Sequence, residues 1–266
     1  MLSSEYIDKT EKKRKYKERR KKRVPALPNE IIVIKNADKD TGGWVETWSK
    51  PKHRSPGHLP HSFRLLALGG VSRGKTNYMK NLFLRHQSSS KKFQKLYVIT
   101  CDANISREWD DCEPTAVMDT MPDISLFQDG TEKTLVIIDD YEFERCSKDE
   151  LRKLTTLFRM ISSHKNVSIM CSYQSFFHCP SICRKTANVF LLYKTTSDSE
   201  LQTIANRVGI KYNELADLFK KYCTEYHDHI MLDFTKDSPY PIRKNIYEVI
   251  DMGSTNSAAA SDSDDK

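Results

Sequence analysis

The sequence lacks any run of 18 apolar residues, so it predicts no transmembrane helix. No apolar core follows the basic N-terminal segment, and we therefore expect no secretory signal. Paired Cys-x-x-Cys motifs are absent, and the odd number of cysteines, seven, favours free thiols in a reducing compartment. His178, Cys179 and Cys183 come closest to metal-ligand spacing, but without a second pair of ligands they indicate buried or incidental residues rather than a zinc site.

What the sequence does contain is enough apolar material for one folded domain with tails. The chain has 266 residues, of which 38% are hydrophobic. Its formal charge of +7 is concentrated at the N-terminus, since residues 1–24 hold eleven Lys or Arg and four Asp or Glu. The other 242 residues carry 32 basic and 32 acidic side chains, so the folded part is about neutral.

Four segments follow from this composition. Residues 1–24 form a basic arm that we expect to be disordered, and its dense charge favours nucleic-acid binding or nuclear import over a merely solubilising tail. Residues 25–60 contain five prolines and read as an extended lead-in. A folded domain is expected over 61–250, and the tail over 251–266, rich in Ser, Ala and Asp, is expected to be disordered.

Short apolar runs alternate with helical patterns across the folded domain. The patterns predict strands at 63–68, 95–100, 134–138, 167–171, 188–193 and 229–234, and helices at 76–86, 149–164, 199–207 and 213–222. Leu151, Leu154, Leu157, Phe158 and Ile161 share one face of the second helix. This order predicts an α/β fold, with a mainly parallel sheet flanked by helices on both faces.

A glycine-rich loop between the first strand and the first helix carries the strongest functional signal. The segment fits GxxxxGK(S/T) and predicts a nucleotide phosphate-binding loop, in which backbone N–H groups and the helix N-terminus face the phosphates. Lys75 is expected to bind the β- and γ-phosphates of ATP, and the Thr76 hydroxyl to bind Mg²⁺. The predicted loop consists of Gly69, Gly70, Val71, Ser72, Arg73, Gly74, Lys75 and Thr76.

Two acids follow the strand LVII about 60 residues later. Ligands bind at the carboxyl ends of parallel strands, so Asp139 and Asp140 are expected beside the phosphate loop. We expect Asp139 to hold Mg²⁺ through water and Asp140 to polarise the attacking water. Glu142 and Glu144 follow closely and leave the choice of Asp140 open.

Gln174 follows the next strand and is a candidate to sense the γ-phosphate or orient water, the alternative being a surface residue that caps the strand. The strand order suggests that this strand separates the phosphate-loop strand from the acidic strand, as in ATP-driven motors. Such motors often take an Arg from a neighbouring subunit, and the candidates are Arg184, favoured weakly, Arg207 and Arg243. Arg73 could instead contact nucleotide in its own subunit.

The order GGVSRGKT, LVIIDD, SIMCSYQSF, and IMLDF followed by PIRKN resembles the viral genome-packaging ATPases of the FtsK–HerA superfamily over 63–250. These are the poxvirus-type packaging ATPases, also found in virophages and Polinton-like elements. The resemblance implies an additional-strand P-loop fold, a homo-oligomeric ring, and ATP hydrolysis coupled to moving double-stranded DNA into a preformed capsid. By position, Lys75 and Thr76 match the loop pair, Asp139 and Asp140 the acidic pair, and Gln174 the sensor.

The expectation is therefore a DNA-translocating ATPase with capsid or portal partners. It would work in the host nucleus or at a viral assembly site, and could be associated with the virion. The alternatives are a helicase- or transposition-type ATPase of a mobile element, a nucleotide-binding assembly protein without turnover, and a small-molecule kinase. The intact acidic pair argues against the assembly protein, and the length leaves little room for a helicase's additional modules.

Overall fold

A computed structural model describes residues 59, 62–88, 92–101, 103, 107–127, 130–194, 197–235, 238 and 240–251. The basic arm, nearly all of the lead-in, and the C-terminal tail beyond residue 251 lie outside the described residues. None of the helices in the described part of the chain is long and apolar enough to cross a bilayer.

Nine strands form one sheet. They are β1 (Arg64–Leu68), β2 (Lys95–Ile99), β3 (Ala116–Met118), β4 (Thr134–Ile138), β5 (Val167–Tyr173), β6 (Val189–Tyr193), β7 (His229–Asp233), β8 (Ile242–Lys244) and β9 (Glu248–Val249). Their spatial order is β3-β2-β4-β5-β1-β6-β7-β8-β9. The first six strands in this order are parallel to one another, and β7, β8 and β9 are antiparallel to their neighbours. The predicted mainly parallel sheet is confirmed.

The helices are α1 (Lys75–Gln87), α2 (Lys148–Thr156), α3 (Ser162–His164), α4 (Ser181–Thr186), α5 (Asp198–Val208) and α6 (Tyr212–Tyr222). Short 3₁₀ turns occupy Asp110–Cys112, Ile124–Phe127 and Phe143–Arg145. A π-turn at Leu157–Ile161 joins α2 to α3, so the predicted helix over 149–164 is interrupted. Of the five residues predicted to share one helix face, Leu154, Leu157, Phe158 and Ile161 are buried, whereas Leu151 is 37% exposed.

Two apolar clusters cover the two faces of the sheet. On one face α1 packs Tyr78, Met79, Leu82 and Phe83 against alternate residues of the strands. On the other face, the helical segment from 148 to 164 and α4 to α6 bury the remaining set. Because the central strands are covered on both sides, β4 and β5 are buried at every position, which explains why they are mainly apolar and do not alternate with exposed polar residues.

The sheet order places β5 between β1 and β4. Leu68 of β1 is in register with Tyr173, and Ile138 of β4 with Cys171. The additional strand suggested by the sequence order is thus present. β5 extends two residues beyond the predicted 167–171, because Ser172 and Tyr173 continue the pairing with β1.

His229 at the start of β7 lies among aromatic rings. Its ring centroid is 4.2 Å from that of Tyr78 and 4.8 Å from that of Tyr193. Its Nδ1 lies 2.9 Å from the carbonyl oxygen of His227. Burial lowers the pKa of His229 to about 4, although the bond to His227 and the charge of Asp228 oppose this change.

We expect His229 to lower the free energy of unfolding as the pH drops from about 6.5 towards 4. In that window the unfolded chain protonates His229 while the native ring stays neutral, which costs up to about 1.4 kcal/mol per pH unit, whereas Asp139, whose pKa burial raises to about 6, contributes in the opposite direction. Urea unfolding of the wild type and of His229→Gln at several pH values isolates the histidine, since the wild type should lose more stability than the variant as the pH falls. The exposed His178→Gln is the control and should keep the wild-type slope. Equal slopes in all three proteins would contradict the expectation.

Candidate active site

The predicted phosphate loop joins β1 to α1 at the carboxyl edge of the sheet. Its first residue, Gly69, donates a backbone hydrogen bond to the carbonyl oxygen of Tyr173 at 3.1 Å. A Cβ on Gly69 would lie 2.7 Å from the Cβ of Tyr193, so this position has no room for a side chain. Gly74 caps α1 with φ of 91°, a left-handed conformation that glycine adopts without strain. The strand–loop–helix context predicted from the sequence is therefore present.

Lys75 is folded back onto this loop. Its Nζ donates to the carbonyl oxygens of Gly69 at 2.8 Å and Gly70 at 2.9 Å. Burial lowers the pKa of Lys75, and the negative charges of Asp140 and Asp139 oppose that shift. The ammonium group is therefore close to both acids. Its two hydrogen bonds go to uncharged carbonyl oxygens of the loop. Negatively charged phosphate oxygens would replace these acceptors and form stronger, charge-assisted hydrogen bonds.

Asp139 directly follows β4 and is only 3% exposed. Its carboxylate accepts hydrogen bonds from the Ser172 hydroxyl, at 2.6 Å, and from the Thr76 side chain. Burial raises the pKa of Asp139 to about 6, and those two bonds oppose the rise. A carboxylate beside a threonine hydroxyl is a set of hard oxygen donors, which is the kind that Mg²⁺ prefers. The residues present therefore fit a magnesium site at this point.

Asp140 differs from its neighbour because it is exposed. Its φ of 46° lies in the left-handed region, where Asp is one of the more tolerated residues. It borders a cavity of about 480 Å³, into which Gln174 also faces. The other lining residues are Tyr141, Glu142, Phe143, Glu144, Arg145, Ser172, Tyr173 and His178. The cavity has room for a water molecule between an exposed carboxylate and an amide.

Gln174 is exposed and immediately follows β5. The turn after it is anchored by Glu200 of α5, whose Oε1 accepts hydrogen bonds from the Ser175 hydroxyl and from the Phe176 N–H at 2.7 Å. Glu200 also completes a capping box with Ser197 at the start of α5. One side chain thus fixes both a helix start and the turn that positions Gln174. The Ser-x-x-Glu pattern marks the cap, but no local pattern indicates the contact between Glu200 and the turn.

The three arginines proposed to act in a neighbouring subunit have different surroundings. Arg243 in β8 is 1% exposed and forms a buried ion pair with Asp233, so it presents no guanidinium to another chain and is withdrawn as a candidate. Arg207 donates from its guanidinium to the Lys185 carbonyl oxygen at 2.6 Å, which ties α5 to the end of α4. Arg184 in α4 is half-buried, with its guanidinium carbon 5.4 Å from the ring centroid of Phe176.

Arg73 contacts its own chain. Its guanidinium donates to the Tyr226 carbonyl oxygen at 2.9 Å and lies over the Tyr226 ring, 3.9 Å from the centroid. The Arg73 carbonyl oxygen is 3.1 Å from Nδ1 of His227. The phosphate loop is thereby fastened to the turn between α6 and β7. This contact spans 153 residues of sequence, and no local pattern indicates it.

Of the three residues with spacing close to that of metal ligands, the two cysteines are buried in the apolar core. Cys179 and Cys183 belong to the apolar core, whereas His178 is exposed and lies 3.6 Å from Glu144. Burial raises the pKa of the Cys179 thiol, which keeps it protonated and unreactive. Among the described residues, no group of three or more His, Cys, Asp or Glu side chains is arranged to hold a metal ion.

Sequence comparison matches the chain to no protein family and to no curated protein. Its structure is similar to that of the genome packaging NTPase B204 from Sulfolobus turreted icosahedral virus 2, with a TM-score of 0.52 and 16% identity over 72% of this chain and 99% of that one. It is also similar to the cytoplasmic domain of the type VII secretion ATPase EccC from Thermomonospora curvata, with a TM-score of 0.51 and 11% identity over 70% of this chain and 25% of that one. The chain has the fold of the P-loop NTPases, with the additional strand between its phosphate-loop and acidic strands.

Proposed function

We propose that this chain is an ATP-hydrolysing motor that translocates double-stranded DNA into a preformed viral capsid. The main observation behind the proposal is that Lys75, the acidic pair and Gln174 lie at the same edge of the sheet. In that sheet β5 lies between β1 and β4. The resemblance of the motif order to viral packaging ATPases supports the DNA-packaging part. The structural similarity to B204, a genome packaging NTPase, supports the same part of the proposal.

The chemistry follows from these positions. Lys75 leaves the carbonyl oxygens of Gly69 and Gly70 and binds the β- and γ-phosphates, where it offsets the charge that grows during phosphoryl transfer. Asp140 accepts a hydrogen bond from the attacking water and takes up its proton. Gln174, which lines the same cavity, orients that water. Each residue lies beside the end of a buried strand or at the start of a helix, so the fold sets the backbone position from which its side chain acts.

Thr76 and Asp139 are the residues that would hold Mg²⁺, which supplies charge neutralisation at the phosphate oxygens when bound. Asp139 must be ionised for this role. The hydrogen bonds from Thr76 and Ser172 favour the ionised form and oppose the effect of burial. The poxvirus-type assignment belongs to this proposal as well, on the strength of the Asp-Asp pair and the Ser-Tyr-Gln-Ser-Phe run.

A homo-oligomeric ring completes the proposal. Arg184 is the candidate to reach the γ-phosphate of a neighbouring subunit, since Arg243 is buried and Arg207 is bonded to α4. Capsid or portal components are the proposed docking partners, and the host nucleus or the viral assembly site is the proposed location, with association to the virion. The basic arm over 1–24 would bind the DNA backbone or direct nuclear import.

Double-stranded DNA should raise the rate of ATP hydrolysis several-fold at low salt, because a motor couples turnover to its track. Phosphate release with and without duplex DNA measures this, and a rate that DNA does not change would contradict the motor function.

Deletion of residues 1–24 should weaken DNA binding and flatten its salt dependence. Each lost phosphate contact lowers the slope of log affinity against log salt concentration by about 0.9. Deletion of the tail over 252–266 is the control.

The outcomes also separate the alternative functions. Strand separation of a forked duplex would favour the helicase- or transposition-type ATPase. Binding of nucleotide without any phosphate release would favour the assembly protein. Phosphate transfer to a small acceptor instead of water would identify a kinase.

A further inference from the structure

Ser172 lies between the two acids and contacts both. Its side chain is buried near the end of β5, with 2% exposure. The hydroxyl donates to Oδ1 of Asp139 at 2.6 Å and accepts from the backbone N–H of Asp140 at 3.0 Å. A hydroxyl has one proton to donate, and here that proton is committed to Asp139. The two bonds therefore define the direction of the hydroxyl and tie two consecutive residues to one atom.

The bond to Asp140 matters because that residue has an uncommon backbone conformation. A φ of 46° lies in the left-handed region, which residues with a side chain adopt less readily than the right-handed region. The bond from the Asp140 N–H to Ser172 holds the peptide group from which this conformation starts. The hydroxyl thus helps to hold the conformation that turns the Asp140 carboxylate towards the cavity shared with Gln174.

The neighbouring residues of β5 extend this connection. Tyr173 accepts the backbone hydrogen bond from Gly69, the first residue of the phosphate loop. Gln174 follows at once and lines the cavity. Three successive residues at and just after the end of β5 therefore contact the acids, contact the phosphate loop and line the cavity assigned to water.

We propose that Ser172 is a positioning residue for the hydrolysis proposed above: its hydroxyl fixes the positions of Asp139 and Asp140 relative to each other and to β5, the strand that Gln174 follows. It acts through the acids and touches no reacting atom. The inference rests on the proposed ATPase function, and it assigns to Ser172 a role in turnover rather than in nucleotide binding.

Ser172→Ala removes the donor and the acceptor and leaves the remaining side chain in place. We expect kcat to fall by about 10- to 100-fold, because a misplaced acid loses most of what a general base contributes. The dissociation constant for a non-hydrolysable ATP analogue should change by less than about threefold, since the loop and Lys75 are intact. Ser172→Thr keeps the hydroxyl and should restore most of kcat.

Ser168→Ala is the matched control. Ser168 lies on the same strand, is fully buried, and accepts a hydrogen bond from the Phe63 N–H at 3.3 Å, away from the acids. The same atoms are removed, so a comparable loss of stability is expected with kcat unchanged. If both Ala variants lower kcat equally, or if Ser172→Ala weakens analogue binding as much as kcat, the positioning role is overturned.

Failure of the proposed function gives a different result. If the wild-type protein releases no phosphate from ATP, the function itself is wrong, and the role of Ser172 falls with it. If the wild type hydrolyses ATP and Ser172→Ala does so at the same kcat, only the positioning role is wrong. If Ser172→Thr does not fold, the comparison of Ser172→Ala with Ser168→Ala still tests the positioning role.

Discussion

Replacing Lys75 with Met is expected to lower kcat for ATP hydrolysis by about 10²–10³-fold or more, because it removes a preorganised charge aimed at the phosphates. Met keeps an unbranched apolar side chain, so the buried stem is largely preserved. The ammonium group is already desolvated and near Asp139 and Asp140, and it needs only to exchange two carbonyl partners for phosphate oxygens. Phosphate release measures the loss.

Lys80→Met is the control for that change. Lys80 lies on the same helix, is also buried, and pairs with Asp111 at 2.9 Å instead of contacting the phosphate loop. Its loss should reduce stability at least as much as the loss of Lys75, but the folded enzyme should retain turnover. Retained turnover in Lys75→Met would show that the phosphate site has been assigned to the wrong loop.

Asp140→Asn is expected to lower kcat by about 10²–10⁴-fold, the usual contribution of a general base. Asn has nearly the same shape and also tolerates the left-handed region, so the φ of 46° should be kept. The amide cannot take a proton from water. Binding of a non-hydrolysable ATP analogue should therefore persist while phosphate release is lost, and both are measured on the same preparation.

Glu142 and Glu144 are the competitors for this role, because both line the same cavity. Glu142 pairs with Arg145 at 2.8 Å, and Glu144 lies near His178. These partners lie on the exposed side of the cavity, so Glu142→Gln and Glu144→Gln should retain most of kcat. A large loss in either variant, with normal turnover in Asp140→Asn, would move the base to that residue.

The positions of the glycine loop and the acidic pair at one edge of the sheet could be predicted because their signals are local. A glycine loop between a strand and a helix, and an acid after a buried strand, each occupy a few consecutive residues. Parallel strands then bring their carboxyl ends to one edge without further information. The position of β5 between β1 and β4 followed from the order of the motifs, and the sheet bears it out.

The parts that were missed depend on contacts between distant residues. β3 has three residues and β9 two, which is too short for a periodic pattern. Arg243 was predicted to be a candidate to act in a neighbouring subunit, because a charged side chain gives no sign of a buried partner ten residues away. Ser172 is one of two serines in a mainly apolar strand, and only the register with β4 reveals what it contacts.

The contacts of Arg73 couple the position of the phosphate loop to that of the turn after α6. Arg73 is held through its guanidinium and its carbonyl oxygen to two consecutive residues, Tyr226 and His227. Any displacement of the loop must either break these contacts or carry the turn with it. The turn leads directly into β7, the first antiparallel strand of the sheet. A displacement of the loop is thus passed on through these non-covalent contacts to the turn, and from the turn along the chain into the antiparallel part of the sheet.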